Sequence, residues 1–524
     1  MTRPDCPKCG KQMRSGGKRE GKGAQRWRCA TQVNGQIIEC YSTTNPSVPT
    51  RGPDSKSVEK VVIPRRTLAD TKRFIITSAQ NGTPVHEKFW ATLKVYAKHN
   101  GAELIVIPLR YKNPTSHWSA SQQGAEHWAT EVRPYLYDQR KKLNPNLVLV
   151  GDVKIQPTAV NPLTGFEGLT HGESCILGHT KIQVKAVAAP ANRYPKILAT
   201  TGSCTVRNYT DSRAGKLGEF HHSLAAAVVE VDGKTFHLRQ VCAASDGSFT
   251  DLDHTYDDAG VRPAAAALGL ILGDWHQRFT AAGVEQATFG RGGMVECLNP
   301  VNLVWHDLLD GHTVNPYHRG NPFIAAAKEA GNATNVRDEV LAAVQYVDEH
   351  TVGRNSYIVS SNHDDFLRRW VIDNDVRSVS GADNKRFWAE NFLIMLDSAH
   401  MNRGGAKYAG PFKHWVGELS KNPGVKALDP DESLLIGRFQ CGSHGNKGPN
   451  GSRGSLANLS RLGSLVISGH GHTMGWQEGH RRVGTATGRQ EYEEGPSSHT
   501  NTHCVVYASG ASSLLTIIGD KWKL

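Results

Sequence analysis

Five apolar runs in the C-terminal half of the chain end abruptly in histidine, aspartate or asparagine. In chain order they read LGLILGDWH, VNLVWHDLLDGH, SYIVSSNHDD, LLIGRFQCGSHG and SLVISGHGHT, with helical segments between them. Strands that alternate with helices predict a layered α/β domain whose functional site lies at the carboxyl ends of the strands. This pattern limits the fold more than any other feature of the sequence.

The polar residues at these strand ends are of the types that bind divalent cations. Such cations take carboxylate and imidazole ligands, and a pair of cations takes one carboxylate between them. A single Asp-x-His or His-x-His is more often a hydrogen-bonded structural pair, but five fragments in series favour a metal centre. His400 is an alternative to the fourth-run histidine. The expected ligands are Asp274, His276, Asp307, Asn362, His444, His470 and His472.

The ordered motifs GDWH, HDLLD, SNHD, SHG and GHGH resemble the five signature motifs of the calcineurin-like metallophosphoesterase superfamily, over about residues 266–524. His306 and Ser361 stand where that family usually has glycine. The resemblance implies a β-sandwich flanked by helices and two metal sites bridged by Asp307. One site would consist of Asp274, His276, Asp307 and His472, and the other of Asp307, Asn362, His444 and His470.

The resemblance also implies roles for residues beside the metals. His363 would protonate the leaving oxygen or steady the phosphate, and Asp364 would orient its imidazole. Two cations, manganese first and iron, zinc or magnesium as alternatives, would activate water for attack on phosphorus. The tract GNKGPNGSRGS after His444 offers backbone amides, Lys447 and Arg453 to a phosphate, although it is equally typical of a flexible turn.

Four cysteines near the N-terminus predict a structural zinc site. Cys6 and Cys9 form a C-x2-C knuckle, and Cys29 and Cys40 complete four thiolates, so that residues 1–41 resemble a zinc ribbon. Unconnected thiols or a redox pair are the alternatives. Residues 1–40 hold nine Lys/Arg and three Asp/Glu, within a chain of net charge +12. This charge indicates a nucleic-acid partner, although a solubilising tail would look similar.

The rest of the chain predicts two further segments. Residues 42–72 are rich in Pro, Ser and Thr and form a linker, and residues 73–262 show a βαβ unit and a hairpin that predict a smaller α/β accessory domain. In the βαβ unit, Thr83-Pro84 would start the helix and Asn100-Gly101 would end it. The catalytic domain would follow as residues 263–524. The longest apolar stretch has nine residues, so we expect a cytoplasmic protein without a membrane span.

The combination of a basic ribbon and a phosphoesterase domain predicts a manganese-dependent DNase. The chain resembles metallophosphoesterases of tailed phages, some of which degrade host DNA, and this implies action in the host cytoplasm. A phosphatase acting on phosphoprotein or small phosphoesters is one alternative. A DNA-binding or assembly protein with an inactive phosphoesterase domain is another. Residues 73–262 carry no visible chemistry and could serve homo-oligomer assembly.

Overall fold

The structure is a computed structural model, and it describes residues 12–18, 25–33, 36–43, 63, 65–109, 127–190, 195–401, 410–490 and 493–524. The chain divides into two compact units, Met1–Lys60 with Ser119–Gln122, and Val61–Trp118 with Gln123–Leu524. The second unit contains both helices and several sheets, which is consistent with the expected α/β class.

The first unit contains a three-stranded antiparallel sheet of β1 (Arg14–Lys18), β2 (Gln25–Val33) and β3 (Gln36–Thr43). Met13, Trp27 and Cys29 are buried together against one another. Cys6 and Cys9 lie outside the described residues, and of Cys40 only the backbone, within β3, is described. The zinc site therefore stays a prediction.

Residues 73–262 fold around a four-stranded sheet whose strands lie in the order β12 (Thr235–Cys242), β11 (Ala225–Asp232), β4 (Arg73–Gln80) and β5 (Glu103–Leu109). Parallel β4 and β5 are joined by helix α1, which buries Phe89 and Leu93, so the βαβ unit is confirmed. The helix begins after an N-cap at His86, not at Thr83-Pro84, and it ends at Gly101 in the left-handed conformation (φ 59°). The elements of this region are β4 (Arg73–Gln80), α1 (Glu87–Asn100), β5 (Glu103–Leu109), β6 (Arg140–Asn144), β7 (Leu147–Val150), β8 (Ser174–Leu177), β9 (Gln183–Val187), β10 (Lys196–Thr200), α2 (Arg213–His221), β11 (Ala225–Asp232), β12 (Thr235–Cys242), β13 (Phe249–Asp251), β14 (His254–Tyr256) and β15 (Val261–Pro263).

Residues 264–524 contribute a six-stranded sheet of order β19-β18-β17-β16-β25-β26, in which the first four strands run parallel. Asn335 caps the helix between the second and third runs, as its sequence predicts. Among the described helices none is both long and apolar enough to cross a membrane. The elements are β16 (Gly269–Ile271), α3 (Ala282–Phe289), α4 (Met294–Leu298), β17 (Asn302–Trp305), α5 (Pro322–Ala330), α6 (Val336–His350), β18 (Asn355–Ile358), α7 (Asp365–Asp373), α8 (Ala382–Met401), α9 (Pro411–Leu419), β19 (Val425–Ala427), β20 (Leu435–Ile436), β21 (Phe439–Gln440), α10 (Leu456–Leu459), β22 (Leu465–Ser468), β23 (Gly475–Gln477), β24 (His480–Arg482), β25 (Thr502–Val506) and β26 (Ser512–Thr516).

A ten-stranded sheet joins the two halves of the second unit. Its order is β20-β21-β22-β24-β23-β9-β10-β8-β7-β6, and antiparallel β9 and β23 pair through Lys185 and Gly475. One hydrophobic core likewise contains Ile107 from the first half and Val304 and Ile467 from the second. This sheet and this core therefore both continue across the domain boundary expected between residues 262 and 263.

Candidate metal centre

The five apolar runs deliver their polar ends from two sheets that share a core. The first three runs contain the neighbouring parallel strands β16, β17 and β18 of the six-stranded sheet. The last two contain β21 and β22, which are parallel neighbours in the ten-stranded sheet. Because parallel strands present their carboxyl ends at one edge, each sheet gathers its polar residues there.

Asp307 occupies the middle of the resulting cluster. Its Oδ2 lies 3.1 Å from Nε2 of His444 and 3.7 Å from Nε2 of His276. Two groups of side chains could each hold a metal ion, one made of Asp274, Asp307 and His444 and the other of His276, Asp307 and His363. Asp307 belongs to both groups, which is the arrangement that a bridging carboxylate requires.

The remaining expected ligands surround these groups. His472 brings its Nε2 to 3.3 Å from Oδ2 of Asp274 and 3.1 Å from Nε2 of His276. The ring of His470 lies 5.2 Å from that of His444, and its backbone N–H donates to Oδ1 of Asp274 at 3.0 Å. Asn362 lines a cleft together with His444. The structure thus gathers ligands expected from all five runs, whereas His400 lies exposed at the end of α8.

Several polar atoms of this cluster lack the partners that burial normally demands. Within the described part of the chain, Oδ1 of Asp307 and Oδ1 of Asn362 are buried and accept no hydrogen bond. The Nε2 atoms of His276 and His472 lie within hydrogen-bond distance of each other, and the tautomers decide which of them donates. Divalent cations would satisfy the two oxygens, so the donor set fits metal ions.

The backbone at the centre is held in an unusual conformation. Four expected ligands have a left-handed φ that non-glycine residues rarely adopt, namely His276 (45°), Asp307 (43°), His470 (69°) and His472 (50°). The backbone N–H of His276 donates to the carbonyl of Asp307 at 2.7 Å, which ties two ligand loops together. At Gly469 any β-carbon would collide with the carboxylate of Asp274. Strain that the surrounding fold maintains in this way is typical of functional sites.

The pKa values at the centre are displaced by burial and by neighbouring charges. Burial raises the pKa of Asp274 to about 7, and Asp307 adds to the effect. Burial also lowers the pKa of His470 to about 4, so this imidazole is neutral and available as a ligand at neutral pH. For His444, burial is outweighed by Asp307 and Asp274, which raise its pKa to about 9. The negative charge of the two aspartates therefore stabilises a proton on His444, at the position where a cation would bind.

His363 lies at the edge of the centre, and Asp310 positions it. The ring of His363 is 4.6 Å from that of His276, and its Nδ1 is 2.6 Å from the backbone carbonyl of Asp310. The carboxylate of Asp310 also lies 3.0 Å from Nδ1 of His276. Asp364 was expected to orient His363, but its carboxylate instead accepts the backbone N–H of Ser361 at 3.1 Å. Sequence reasoning therefore missed Asp310 as a site residue, although Asp310 is the final aspartate of the motif HDLLD.

The glycine-rich tract after His444 forms a loop between two cavities. Lys447 and Arg453 are exposed, and their backbones form an isolated β-bridge across this loop. A cleft of about 860 Å³ contains Lys447 with Asn362 and His444, and a cavity of about 290 Å³ contains Arg453 with His470. Both expected phosphate contacts therefore lie beside expected metal ligands.

Comparison with known proteins shows a similarity to a phage protein. The chain is 27% identical over 495 residues to Protein A1 of Escherichia phage T5, which covers 90% of this chain and 86% of that protein. The name of that protein states no activity. No protein-family model and no solved structure matches the chain. The chain is thus similar to a phage protein, and the case for its chemistry rests on the metal centre.

Proposed function

We propose that this protein is a metal-dependent deoxyribonuclease that hydrolyses DNA phosphodiester bonds with two divalent ions, manganese foremost. The observation that carries the proposal is the position of Asp307 in both groups of potential metal ligands. A catalytic pair of ions needs one shared carboxylate, and a single structural ion does not. The five-motif resemblance to calcineurin-like metallophosphoesterases agrees with this geometry.

The side chains of the cluster have different roles in the proposed hydrolysis. The family resemblance assigns Asp274, His276 and His472 to one ion and Asn362, His444 and His470 to the other, with Asp307 shared, whereas the distances also bring Asp274 close to His444 and His276 close to His363. When bound, such ions activate a water molecule and neutralise charge on the phosphoryl oxygens. We assign the protonation of the leaving oxygen to His363, which is partly exposed at the edge of the cluster. Asp310 keeps its imidazole in position through the backbone carbonyl.

Charge favours DNA over smaller phosphoesters as the substrate. The chain has a net charge of +12, and residues 1–40 supply six of these charges. Exposed Lys447 and Arg453 add positive charge beside the centre. Phosphate contacts of this kind supply most of the affinity in DNA binding. Because the chain is similar to a phage protein, we also propose that the reaction takes place in the host cell.

A cleavage assay tests the proposal. Purified protein is incubated with linear and with supercoiled DNA in Mn²⁺, in Mg²⁺ or in EDTA, and we expect cleavage that requires the metal. Asp307→Ala and His363→Ala should abolish it, whereas Asp338→Ala, which removes an exposed carboxylate of α6, should not.

Two other results would replace the proposal. Hydrolysis of p-nitrophenyl phosphate without DNA cleavage would identify a phosphatase. DNA binding without hydrolysis of either substrate would identify a binding or assembly protein with an inactive phosphoesterase domain.

A further inference from the structure

A second cavity, of about 1160 Å³, lies where residues 73–262 meet the C-terminal half. We call it the junction groove and define it by Arg207, Phe220, Arg438, Trp476 and Arg481, which line it. Leu462 lines both this groove and the cleft that contains the metal ligands Asn362 and His444. The two cavities are therefore adjacent, and a flexible polymer could pass from one to the other.

Positive charge dominates the lining of the groove. Arg207 and Arg438 are exposed, and in the described part of the chain no carboxylate pairs with either guanidinium. Glu478 is the one carboxylate among the described lining residues, and it is bound to Lys181 at 2.9 Å. The lining therefore keeps uncompensated arginines, which is the charge that a polyanion requires.

Arg481 is the strongest indication that the ligand is an anion. Its side chain is buried, with its guanidinium 4.1 Å from the ring of Trp476. Among the described residues it donates to neutral oxygens alone, the hydroxyl of Ser512 at 3.1 Å and the backbone carbonyl of Glu478 at 3.4 Å. Burial accordingly lowers its pKa to about 10. Because a buried arginine normally has an anionic partner, this one is suited to a phosphate that enters the groove.

An exposed aromatic ring completes the lining. Phe220, in the last turn of α2, is 79% exposed, and the ring of His221 lies edge-on to it at 4.9 Å. Leu217, one turn earlier, is 48% exposed. Aromatic rings beside unpaired cations are the combination that binds single-stranded nucleic acid, since bases stack on the ring while phosphates meet the cations.

We propose that the junction groove binds a single nucleic-acid strand that continues from the catalytic cleft past Leu462. Phosphates of the strand contact Arg207, Arg438 and Arg481, and a base stacks on Phe220. The inference rests on the proposed nuclease function and deepens it, because it assigns to residues 73–262 the holding of substrate. It also predicts that single-stranded segments are preferred over intact duplex at this site.

Affinity for an oligonucleotide tests the groove directly. The full-length protein is titrated in EDTA, which prevents cleavage, against a fluorescent single strand of about 16 nucleotides. The double variant Phe220→Ala/Arg438→Met should raise the dissociation constant at least about fivefold, the lower limit for loss of one stacked base. The control Phe323→Ala/Arg377→Met removes an exposed ring and an exposed arginine outside the groove and should leave the affinity unchanged.

Hydrogen exchange locates the bound strand, since the basic N-terminal segment can also contribute affinity. Residues 213–222 and 476–482 should become protected when the strand is added, and a duplex of equal length should protect them less. Unchanged affinity in the groove variant, or equal protection by duplex, would overturn the proposal. Equal protection by deoxyadenosine monophosphate would also overturn it and indicate a small-anion site.

Hydrolysis of bis(p-nitrophenyl) phosphate in Mn²⁺ separates this inference from the proposed function. This small diester reaches the candidate metal centre without occupying the groove, so its hydrolysis by the wild-type protein tests the centre alone. Absence of hydrolysis in the wild-type protein would contradict the nuclease proposal. The binding measurements in EDTA would still decide whether the groove holds a strand.

Discussion

Two buried clusters of charge in this protein differ in how their hydrogen bonds are completed. In the first, Arg239 donates to Asp251 at 2.6 and 2.8 Å and to Glu230 at 3.1 Å, and the hydroxyl of Tyr96 donates to Asp251 at 2.8 Å. In the metal centre, by contrast, buried oxygens of Asp307 and of Asn362 accept no hydrogen bond from any described residue.

The difference separates structural from functional burial of charge. The Arg239 network finds all its partners within the chain, and opposite charges hold the pKa of Arg239 well above its ordinary value in spite of burial. In the candidate metal centre the buried oxygens of Asp307 and Asn362 find no such partner among the described residues, and bound cations would supply one. Loss of a member of the first cluster should therefore cost stability, and loss of a member of the second should cost activity.

The largest effect is expected at the shared carboxylate. Asp307→Asn keeps the shape of the side chain but removes the charge between the two ion positions. We expect the rate of DNA cleavage to fall at least about a thousandfold, which corresponds to the several kcal/mol that the ions contribute to the transition state. Initial rates in Mn²⁺ measure the loss. A variant that retains a tenth of the activity would contradict a functional role for the buried charge of Asp307.

Arg239→Met should produce the opposite result. Among the described residues, removing the guanidinium leaves buried Asp251 without a cation and leaves Glu230 with the more distant Arg73 at 3.8 Å, so we expect the free energy of unfolding to fall by about 3–5 kcal/mol. The activity of the remaining folded protein should stay within about twofold. Urea unfolding in EDTA measures the stability, and Arg377→Met, which breaks an exposed pair with Asp375, should cost much less. Equal costs for the two variants would contradict the comparison.

Manganese should stabilise the protein through the centre alone. At a concentration about a hundred times the dissociation constant, a ligand that binds only the folded state adds about 2.7 kcal/mol. Thermal unfolding with and without Mn²⁺ measures the gain. We expect Arg239→Met to keep the gain and Asp307→Asn to lose most of it. A gain that persists in Asp307→Asn would place the ion elsewhere.

Asp310→Asn should have a smaller effect, because Asp310 acts through the histidines it positions. Loss of such a supporting group costs about 10–100-fold in activity or metal affinity. The carboxylate of Asp310 raises the pKa of His363 against the lowering effect of burial, so its removal lowers that pKa further. If His363 donates a proton, the decline of activity at high pH should begin at lower pH in the variant. An unchanged pH profile would leave Asp310 with a purely structural role.

The smallest effect concerns a histidine whose hydrogen bonds are complete. His179 is bound through both ring nitrogens, to the backbone of Lys181 and of Gln156, and burial lowers its pKa to about 4. Between pH 6.5 and 4 the unfolded chain takes up a proton that the folded chain refuses, so stability falls as the pH falls. The slope for one such group is about 1.4 kcal/mol per pH unit. Urea unfolding at several pH values in EDTA should show a shallower slope for His179→Asn, and an identical slope would contradict the assignment.

Much of the centre could be predicted from the sequence because the signal is local. Each apolar run places its own ligand at a strand end, and the spacing in GDWH and GHGH needs no knowledge of distant contacts. The position of His444 beside Asp307 decides between it and His400, which sequence alone left open.

The parts that could not be predicted depend on pairing between distant segments. Nothing in QVKAV or GWQ indicates that β9 and β23 are neighbours, since short strands carry little information on their partners. Asp310 was overlooked for a related reason, because its role appears only when the loop after β17 meets the loop after β18. The start of α1 at His86 shows that capping by a side-chain nitrogen can replace the expected Thr-Pro signal.

The left-handed backbone at His276, Asp307, His470 and His472 has a consequence for the sequence changes that these loops tolerate. Conformations of this kind are energetically costly for residues other than glycine, and the packed strands on either side bear that cost. A β-branched replacement would raise the cost further, because such residues rarely adopt a positive φ. A substitution at one of these positions therefore acts on the path of the loop as well as on the side chain.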